Sequence, residues 1–296
     1  MILAVTGITG HTGSYFLQEL IDHRYDGVLR VLVRESSDLS ALDKSGLQIE
    51  KVFGSLQNDA DLDRLVDGAD KILHIAGIRA TLPLLKSAEK AGVTGHIVLV
   101  HTTGIYSRHR MACGEYKEIE AGLRPFLERG MNITILRPTI IFGDMRDKQF
   151  HKFIQMVDRF PVMPQIDGGR AFIQPVNARD LGRAYYQCLM RDRLPELDYI
   201  CSGSRRLSVR ELCALIGIYL GKKTRFVSVP MAVGAAGAWG VKALSLGRID
   251  YVEKVLRLGE DRSFSHEKAT RDFGFEPEIF EIGLRREVEE YLHGKR

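Results

Sequence analysis

This chain has few cysteines, no block of like charge and no long apolar run, and each shortage closes off a class of function. Cysteine occurs only at positions 113, 188, 201 and 213, without paired or metal-like spacing, so neither a disulfide scaffold nor a zinc module is encoded. The four read as reduced thiols, with Cys113 a packed one. The net charge over 296 residues is only +4 and no dense Lys/Arg run occurs, which leaves no footprint for nucleic acid. A mildly positive balance does suit an anionic ligand such as a nucleotide. The most apolar late stretch, Val229–Leu246, contains Pro230 and Lys242 and is too short and interrupted for a membrane span. It reads as an amphipathic helix packed on the protein, with membrane-surface contact as the alternative. The first strand begins at residue 2, so no signal peptide is expected and a cytoplasmic setting is inferred. Internal repeats and low-complexity linkers are absent.

What is present begins at once. Ile2 to Val5 reads as a short buried strand, followed by Thr6-Gly-Ile-Thr-Gly-His-Thr-Gly13 and a helical run from Ser14 to Ile21. A strand, a glycine loop and a helix in that order fit a bulky anionic pyrophosphate. Gly7 permits the tight turn, Gly10 the close approach of backbone to ligand, and Gly13 the packing of helix on strand. The helix N-terminus then offers unpaired N–H groups and a positive dipole end. Thr9, His11 and Thr12 complete the loop, and the His11 ring is a further candidate for the phosphates.

Beyond the loop, strands read at Val28–Val33, Gln48–Phe53, Lys71–Ile75, His96–Val100 and Asn132–Leu136. Helices read around Leu62–Val66, Leu82–Ala91 and Cys113–Arg129. Such alternation predicts an α/β fold with a doubly wound parallel sheet. Right-handed crossovers put the strand C-termini on one edge, where ligands bind. Candidate cofactor residues therefore follow strands: the 7–13 loop, Arg34 and Ser36, Gly54-Ser55, Ala76-Gly77, Thr102 and Pro138-Thr139. In the second half Asn177 caps one helix, and Ser208-Val-Arg-Glu211 is a capping box opening Val209–Leu220, which Gly221 ends. Short strands are expected at Phe172–Val176, Tyr199–Cys201 and Arg225–Val229, and a last helix at Ile279–Leu292. The division expected is a dinucleotide-binding domain over 1–165 and a smaller α/β substrate lobe over 166–296, interleaved with the first.

Several landmarks, in order, resemble the extended or atypical short-chain dehydrogenase/reductases of the NAD-dependent epimerase/dehydratase type. Thr6–Gly13 resembles the TGxTGxxG loop, and His74-Ile-Ala-Gly77 the strand-four segment beside adenine and ribose. His101-Thr-Thr-Gly-Ile-Tyr106 resembles the SSxxxY segment, and Ile135-Leu-Arg-Pro-Thr139 with Phe142-Gly143 the LRPxxxxG segment. Gln174-Pro-Val-Asn-Ala-Arg-Asp180 resembles the VxVxDxA segment, and Phe273-Gly-Phe-Glu-Pro277 with Gly283-Leu284 the tail signature. The resemblance spans nearly the whole chain. It implies a Rossmann-type fold, hydride chemistry with NAD(P), and a nucleotide-linked sugar or related metabolite as substrate. It also allows a homodimer through the Cys113–Arg129 helix.

One departure stands out. The family's Tyr-x-x-x-Lys pair places both side chains one helical turn apart. Here the region reads Cys113-Gly-Glu-Tyr-Lys-Glu-Ile-Glu120, so the position four after Tyr116 is Glu120, while Lys117 points about 100° away around the helix. A second alignment sets Tyr116 at the lysine position and Ala112 at the tyrosine position. Candidate catalytic residues are Thr103, Tyr116 and Lys117. Arg34 stands where NAD-preferring relatives carry an acid, which favours NADP(H) through pairing with a 2′-phosphate. NAD(H), with Glu35 on the ribose, is the alternative. Tyr106, Arg170 and Gln174, with Arg179 nearby, are substrate-side candidates. Two functions are open: an epimerase, dehydratase or reductase, and a non-catalytic NAD(P) sensor or regulatory subunit.

Overall fold

The computed structural model describes residues 1–147, 150–245 and 252–294. The first half alternates strands and helices: β1 (Ile2–Thr6), α1 (His11–Asp22), β2 (Val28–Val33), α2 (Ser40–Asp43), β3 (Gln48–Phe53), α3 (Asp59–Val66), β4 (Lys71–His74), α4 (Thr81–Lys90), β5 (Ile97–Val100), α5 (Arg110–Ala121), α6 (Arg124–Glu128) and β6 (Ile133–Pro138). Then follow β7 (Ile141–Phe142), α7 (His151–Arg159), β8 (Val162–Ile166), β9 (Phe172–Ile173), β10 (Val176–Asn177), α8 (Ala178–Leu189) and β11 (Asp198–Cys201). The last elements are β12 (Leu207–Ser208), α9 (Val209–Tyr219), β13 (Arg225–Val229), α10 (Met231–Leu244), α11 (Val252–Leu256), α12 (Glu267–Phe273) and α13 (Phe280–His293).

Seven strands form one parallel sheet in the order β11-β6-β5-β4-β1-β2-β3. β5 and β6 are buried along their whole length, which is why they read as apolar runs without alternation. One core lies against α1, α8 and α12 and is built on Val5, Phe16, Leu136, Tyr185 and Phe273. The other lies against α3, α4 and α6 and is built on Leu62, Leu84, Leu99 and Phe126. Strand order reverses at β1, whose neighbours are β2 and β4. A crevice outside the carboxyl ends of β1 and β4 is the place where such sheets bind ligands.

A third core serves the later elements, with Phe142, Phe150 and Phe280 stacked among Ile154, Leu212 and Leu284. The chain crosses between this core and the main sheet. β11 joins the sheet and α8 packs on α1 before β12 and α9 return to the third core.

Three expectations need correction. The single helix expected over Cys113–Arg129 is two, because Gly122 ends α5 and α6 starts afresh with Pro125 in its first turn. The strand expected over Phe172–Val176 is likewise two, since Pro175 between β9 and β10 has no N–H to give a ladder. The helix read in Val229–Leu246 exists as α10 and packs on the protein by one face, with Met231, Gly234, Ala235 and Lys242 half-buried and Ala238 buried (Leu246 lies outside the described residues). It is not amphipathic, because its outer face is apolar and exposed at Val233, Trp239, Val241 and Leu244. All four cysteines are buried and free.

Candidate nucleotide and catalytic site

The glycine loop lies at the reversal point. Gly7 has φ +78°, and a Cβ there would stand 2.9 Å from the Ala76 backbone nitrogen, so β1 and the turn after β4 meet backbone to backbone. A Cβ on Gly13 would overlap the Gly7 carbonyl oxygen. Gly10 is the N-cap of α1, no side chain caps this helix, and no acid occupies its first turn. The opening N–H groups of α1 thus lack intrahelical partners and carry the positive end of the dipole. Among the described residues three helices are closed by side chains, Asn58 on α3, Asn177 on α8 and a full Ser208–Glu211 box on α9, whereas α4, α5, α6, α7, α12 and α13 share with α1 the lack of a side-chain cap.

The walls of this end are tied together by a buried histidine. Thr6 Oγ1 is 2.7 Å from His74 Nδ1, and His74 Nε2 is 3.1 Å from the Gly77 carbonyl. Burial pushes the His74 pKa down to about 4, so the ring is neutral. Its Nε2–H donates to Gly77, and its Nδ1 accepts from the Thr6 hydroxyl. Thr9 and Gly10 are exposed, while Thr12 is buried and accepts from Tyr185 Oη at 3.3 Å. The His11 ring turns to Asp144, with Nε2 3.2 Å from Oδ1. Burial alone would raise the Asp144 pKa, but hydrogen bonds from His11, Arg146 and Tyr15 hold it well below the usual range. His11 therefore braces α1 against the segment after β7.

Arg34 follows β2 and is exposed, and its guanidinium has no ion-pair partner among the described residues. The backbone around it is a tight turn: Ser37 N–H donates to Arg34 O at 2.9 Å and Arg34 N–H to Ser37 Oγ at 3.2 Å, with Ser36 exposed between. Gly54 N–H donates to Val33 O, and Ser55 N–H to Asp61 Oδ2 at 2.8 Å, which holds the turn after β3 against α3. Thr139 donates its hydroxyl to Gln174 O, and its N–H to Cys201 O at 3.2 Å.

Around the turn after β5 the protein satisfies its own charges. Arg137, on β6, donates to both Glu120 oxygens at 2.5 and 2.7 Å and to Asp198 Oδ2 at 2.8 Å. His101 Nδ1 lies 2.9 Å from Glu120 Oε1, with its Nε2 3.1 Å from Thr81 Oγ1. Burial works against the Glu120 charge, but the hydrogen bonds from His101 and Arg137 prevail and bring its pKa to about 2. Tyr106 Oη donates to Asp198 at 3.2 Å, and the Arg137 guanidinium lies 5.6 Å from its ring centroid.

Thr102 and Thr103 open the turn before α5. Thr102 Oγ1 accepts from Gly104 N–H at 3.0 Å, and Thr103 Oγ1 donates to Pro138 O at 3.1 Å. The Tyr116 ring faces this turn, its Cε2 3.3 Å from where a Cβ on Gly104 would be. Ala112 also lies on α5. Lys117 does not join them: it is exposed and lines a cleft with Arg108, Cys113, Gly114 and Glu118, in keeping with its offset around the helix. Arg79, just after Gly77, is held by Glu115 at 2.5 and 2.7 Å. Glu115 first, and the Tyr116 oxygen to a lesser degree, hold its pKa above the usual value.

The substrate-side candidates scatter. Arg170 is exposed, and Arg179 stacks 4.7 Å over Tyr15, lining a cleft with Glu19, Arg183 and Arg286. The Gln174 amide is occupied by backbone, donating to Gly203 O at 2.7 Å and accepting from Phe264 N–H at 3.0 Å. Sequence reasoning misses Arg79, Arg137, Asp198 and the part played by Glu120. One of them does leave a signal. An arginine inside an apolar strand, as in Leu136-Arg-Pro138, must be buried against acids.

A family model described as NAD(P)H-binding matches residues 7–153. Sterol demethylase protein B of Methylococcus capsulatus is 28% identical over 178 residues, covering 48% of this chain and 52% of that protein. Ceramide reductase of Caulobacter vibrioides is 25% identical over 173 residues, covering 55% of this chain and 53% of that protein. The chain spans about half the length of these curated relatives. Among solved structures, a dTDP-glucose 4,6-dehydratase from Streptomyces venezuelae with NAD bound superposes with TM-score 0.75 at 21% identity, covering 100% of this chain and 98% of that one. The glycine loop lies inside the segment that matches the NAD(P)H-binding model, and the chain shares its fold with the dehydratase over its whole length.

Proposed function

We propose that the protein is an NADP(H)-dependent oxidoreductase that exchanges hydride with a ketone or secondary alcohol. The observation that carries this reading is the uncapped α1 N-terminus behind Gly7 and Gly10, inside the segment that matches the NAD(P)H-binding model. The Arg34 guanidinium, with Ser36 and Ser37 beside it and no acid paired to it among the described residues, supports the 2′-phosphorylated cofactor. Gly54-Ser55 and Ala76-Gly77 would flank the adenosine half, and Pro138-Thr139 the nicotinamide half. When bound, the nicotinamide supplies or accepts the hydride. Thr102 and Thr103 would orient the substrate oxygen, and Tyr116 would give or take its proton.

The nucleotide sugar implied by the family resemblance has its support in fold neighbours such as the dTDP-glucose dehydratase. Both curated relatives are instead named for lipids, a sterol and a ceramide. The Gln174 amide is already bonded to backbone. These observations favour an apolar substrate carrying one ketone or hydroxyl. Assays of keto-sterols and keto-ceramides beside dTDP- and UDP-glucose separate the two. The test of mechanism is Tyr116→Phe, which should lower turnover about 100-fold or more while NADPH binding is unchanged. Unchanged turnover removes Tyr116 from the chemistry. A second reading, a nucleotide sensor, has one observation in its favour: Lys117 is turned away and Glu120 is locked to Arg137. It predicts NADPH binding with no turnover of any substrate class.

A further inference from the structure

α10 is ill suited to water. Its 14 residues contain a single charged side chain, Lys242, yet Val233, Trp239, Val241 and Leu244 are all exposed, Leu244 by 89%. The opposite face of the helix, Met231, Gly234, Ala235, Ala238 and Lys242, is the covered one, with Gly234 against Ile166 and Val255. Ile166 ends β8, which pairs with β13 in the register Val162↔Arg225, Pro164↔Val227 and Ile166↔Val229. These residues share one face of a two-stranded sheet, and Val162 and Val227 are exposed on it. The apolar surface therefore runs from this face onto α10. Contiguous exposed apolar surface of this kind marks an interaction site.

The charge along this stretch is of one sign. From Leu212 to Ser245 the chain carries Lys222, Lys223, Arg225 and Lys242, and no Asp or Glu. Among the described residues Asp158 holds Lys222, Asp167 accepts the Met231 N–H at 2.8 Å where α10 begins, and α11, which packs on α10, brings Glu253. Lys242 folds back over Trp239, 4.9 Å from the ring centroid. Among the described residues no helix is long and apolar enough to cross a membrane. An apolar helix with an aromatic anchor and a basic margin instead suits the interface of a bilayer with anionic headgroups.

We infer that α10, with the exposed face of β8 and β13, docks on the surface of an anionic lipid bilayer. The docking element is connected to the turn before α5. Gly259 packs under Met231, and the next residue, Glu260, accepts from Ser107 Oγ at 3.0 Å and Arg108 N–H at 2.6 Å. The inference stands whether or not the substrate is apolar.

Trp239 is the only tryptophan of the chain, so its emission reports on this surface alone. The experiment adds the full-length protein to phosphatidylcholine vesicles with and without phosphatidylglycerol. The expected result is a blue shift of Trp239 emission and co-flotation with the anionic vesicles, reversed by salt. Lys223→Glu with Arg225→Glu should weaken binding about tenfold or more. Val233→Asp with Leu244→Asp should abolish it, with an unchanged circular-dichroism melt showing that these exposed changes leave the fold intact. If those variants misfold, the salt-reversible response of the unmodified protein decides alone. Emission insensitive to both vesicle types overturns the inference, and so does equal binding to both. Emission that ignores vesicles but changes with protein concentration also overturns it, and would assign this face to a second copy of the chain.

Discussion

The phosphate end of the crevice and the turn before α5 are built in opposite ways. At the glycine-loop end the protein leaves its donors open: Gly10 caps α1 without a side chain, and Arg34 forms no ion pair among the described residues. Around the turn the charges are closed on one another, with Arg137 gripping Glu120 and Asp198 while His101 completes the set. An unpaired donor is a place for a ligand, whereas a satisfied buried ion pair is a piece of scaffold. The proposed nucleotide-binding and proton-transfer residues are therefore separate sets, and the proposal predicts that each can be disturbed without the other.

Four perturbations probe that contrast, the largest first. Glu120→Ala leaves the Arg137 guanidinium with Asp198 alone, and should cost about 3 to 5 kcal/mol, read as a lower urea midpoint at unchanged slope. NADPH affinity measured below the unfolding transition should stay the same, because the open end is untouched.

Acid should loosen the open end. His74 titrates near 6.5 when unfolded and at about 4 when folded, so the folded state resists the proton. Its contribution is complete above 6.5 and is lost as pH falls towards 4, by about 3 kcal/mol at most. The Asp180 carboxyl, pushed up to about 6 by burial, works in the opposite sense, gaining stability as it takes up its proton. Comparison with His74→Gln isolates the histidine: the variant's urea midpoint should fall less than that of the unmodified protein between 6.5 and 4. Glu120 adds its own loss only lower, between 4.5 and about 2.

Gly13→Ala sets a Cβ into the Gly7 carbonyl and should weaken NADPH binding about 100-fold by isothermal titration, equivalent to about 2.7 kcal/mol. Turnover at saturating NADPH should fall much less. The smallest effect expected is that of Arg34→Ala, about tenfold on NADPH affinity and nothing on NADH.

The strands of the main sheet are legible because strands buried on both faces read as unbroken apolar runs, as Ile97–Val100 does. Asn177 and Ser208 are legible as caps because capping is local. The glycine loop is legible for the same reason, since turn, helix start and phosphate donors fall within a few consecutive residues. The Glu120–Arg137 clamp is not, because its partners lie on a helix and a strand brought together only by packing. Arg79 escapes notice because its pairing with Glu115 depends on how the turn after β4 meets α5. The exposure of α10 is easily misread, since its small residues resemble those of a packed helix in sequence while offering little to pack.

Titration of the purified protein with NADPH and with NADH tests the central claim most directly. The open phosphate end and the position of Arg34 predict saturable binding of NADPH, at least about tenfold tighter than NADH. Tighter binding of NADH would contradict the role given to Arg34, and binding of neither would contradict the reading of the glycine loop itself.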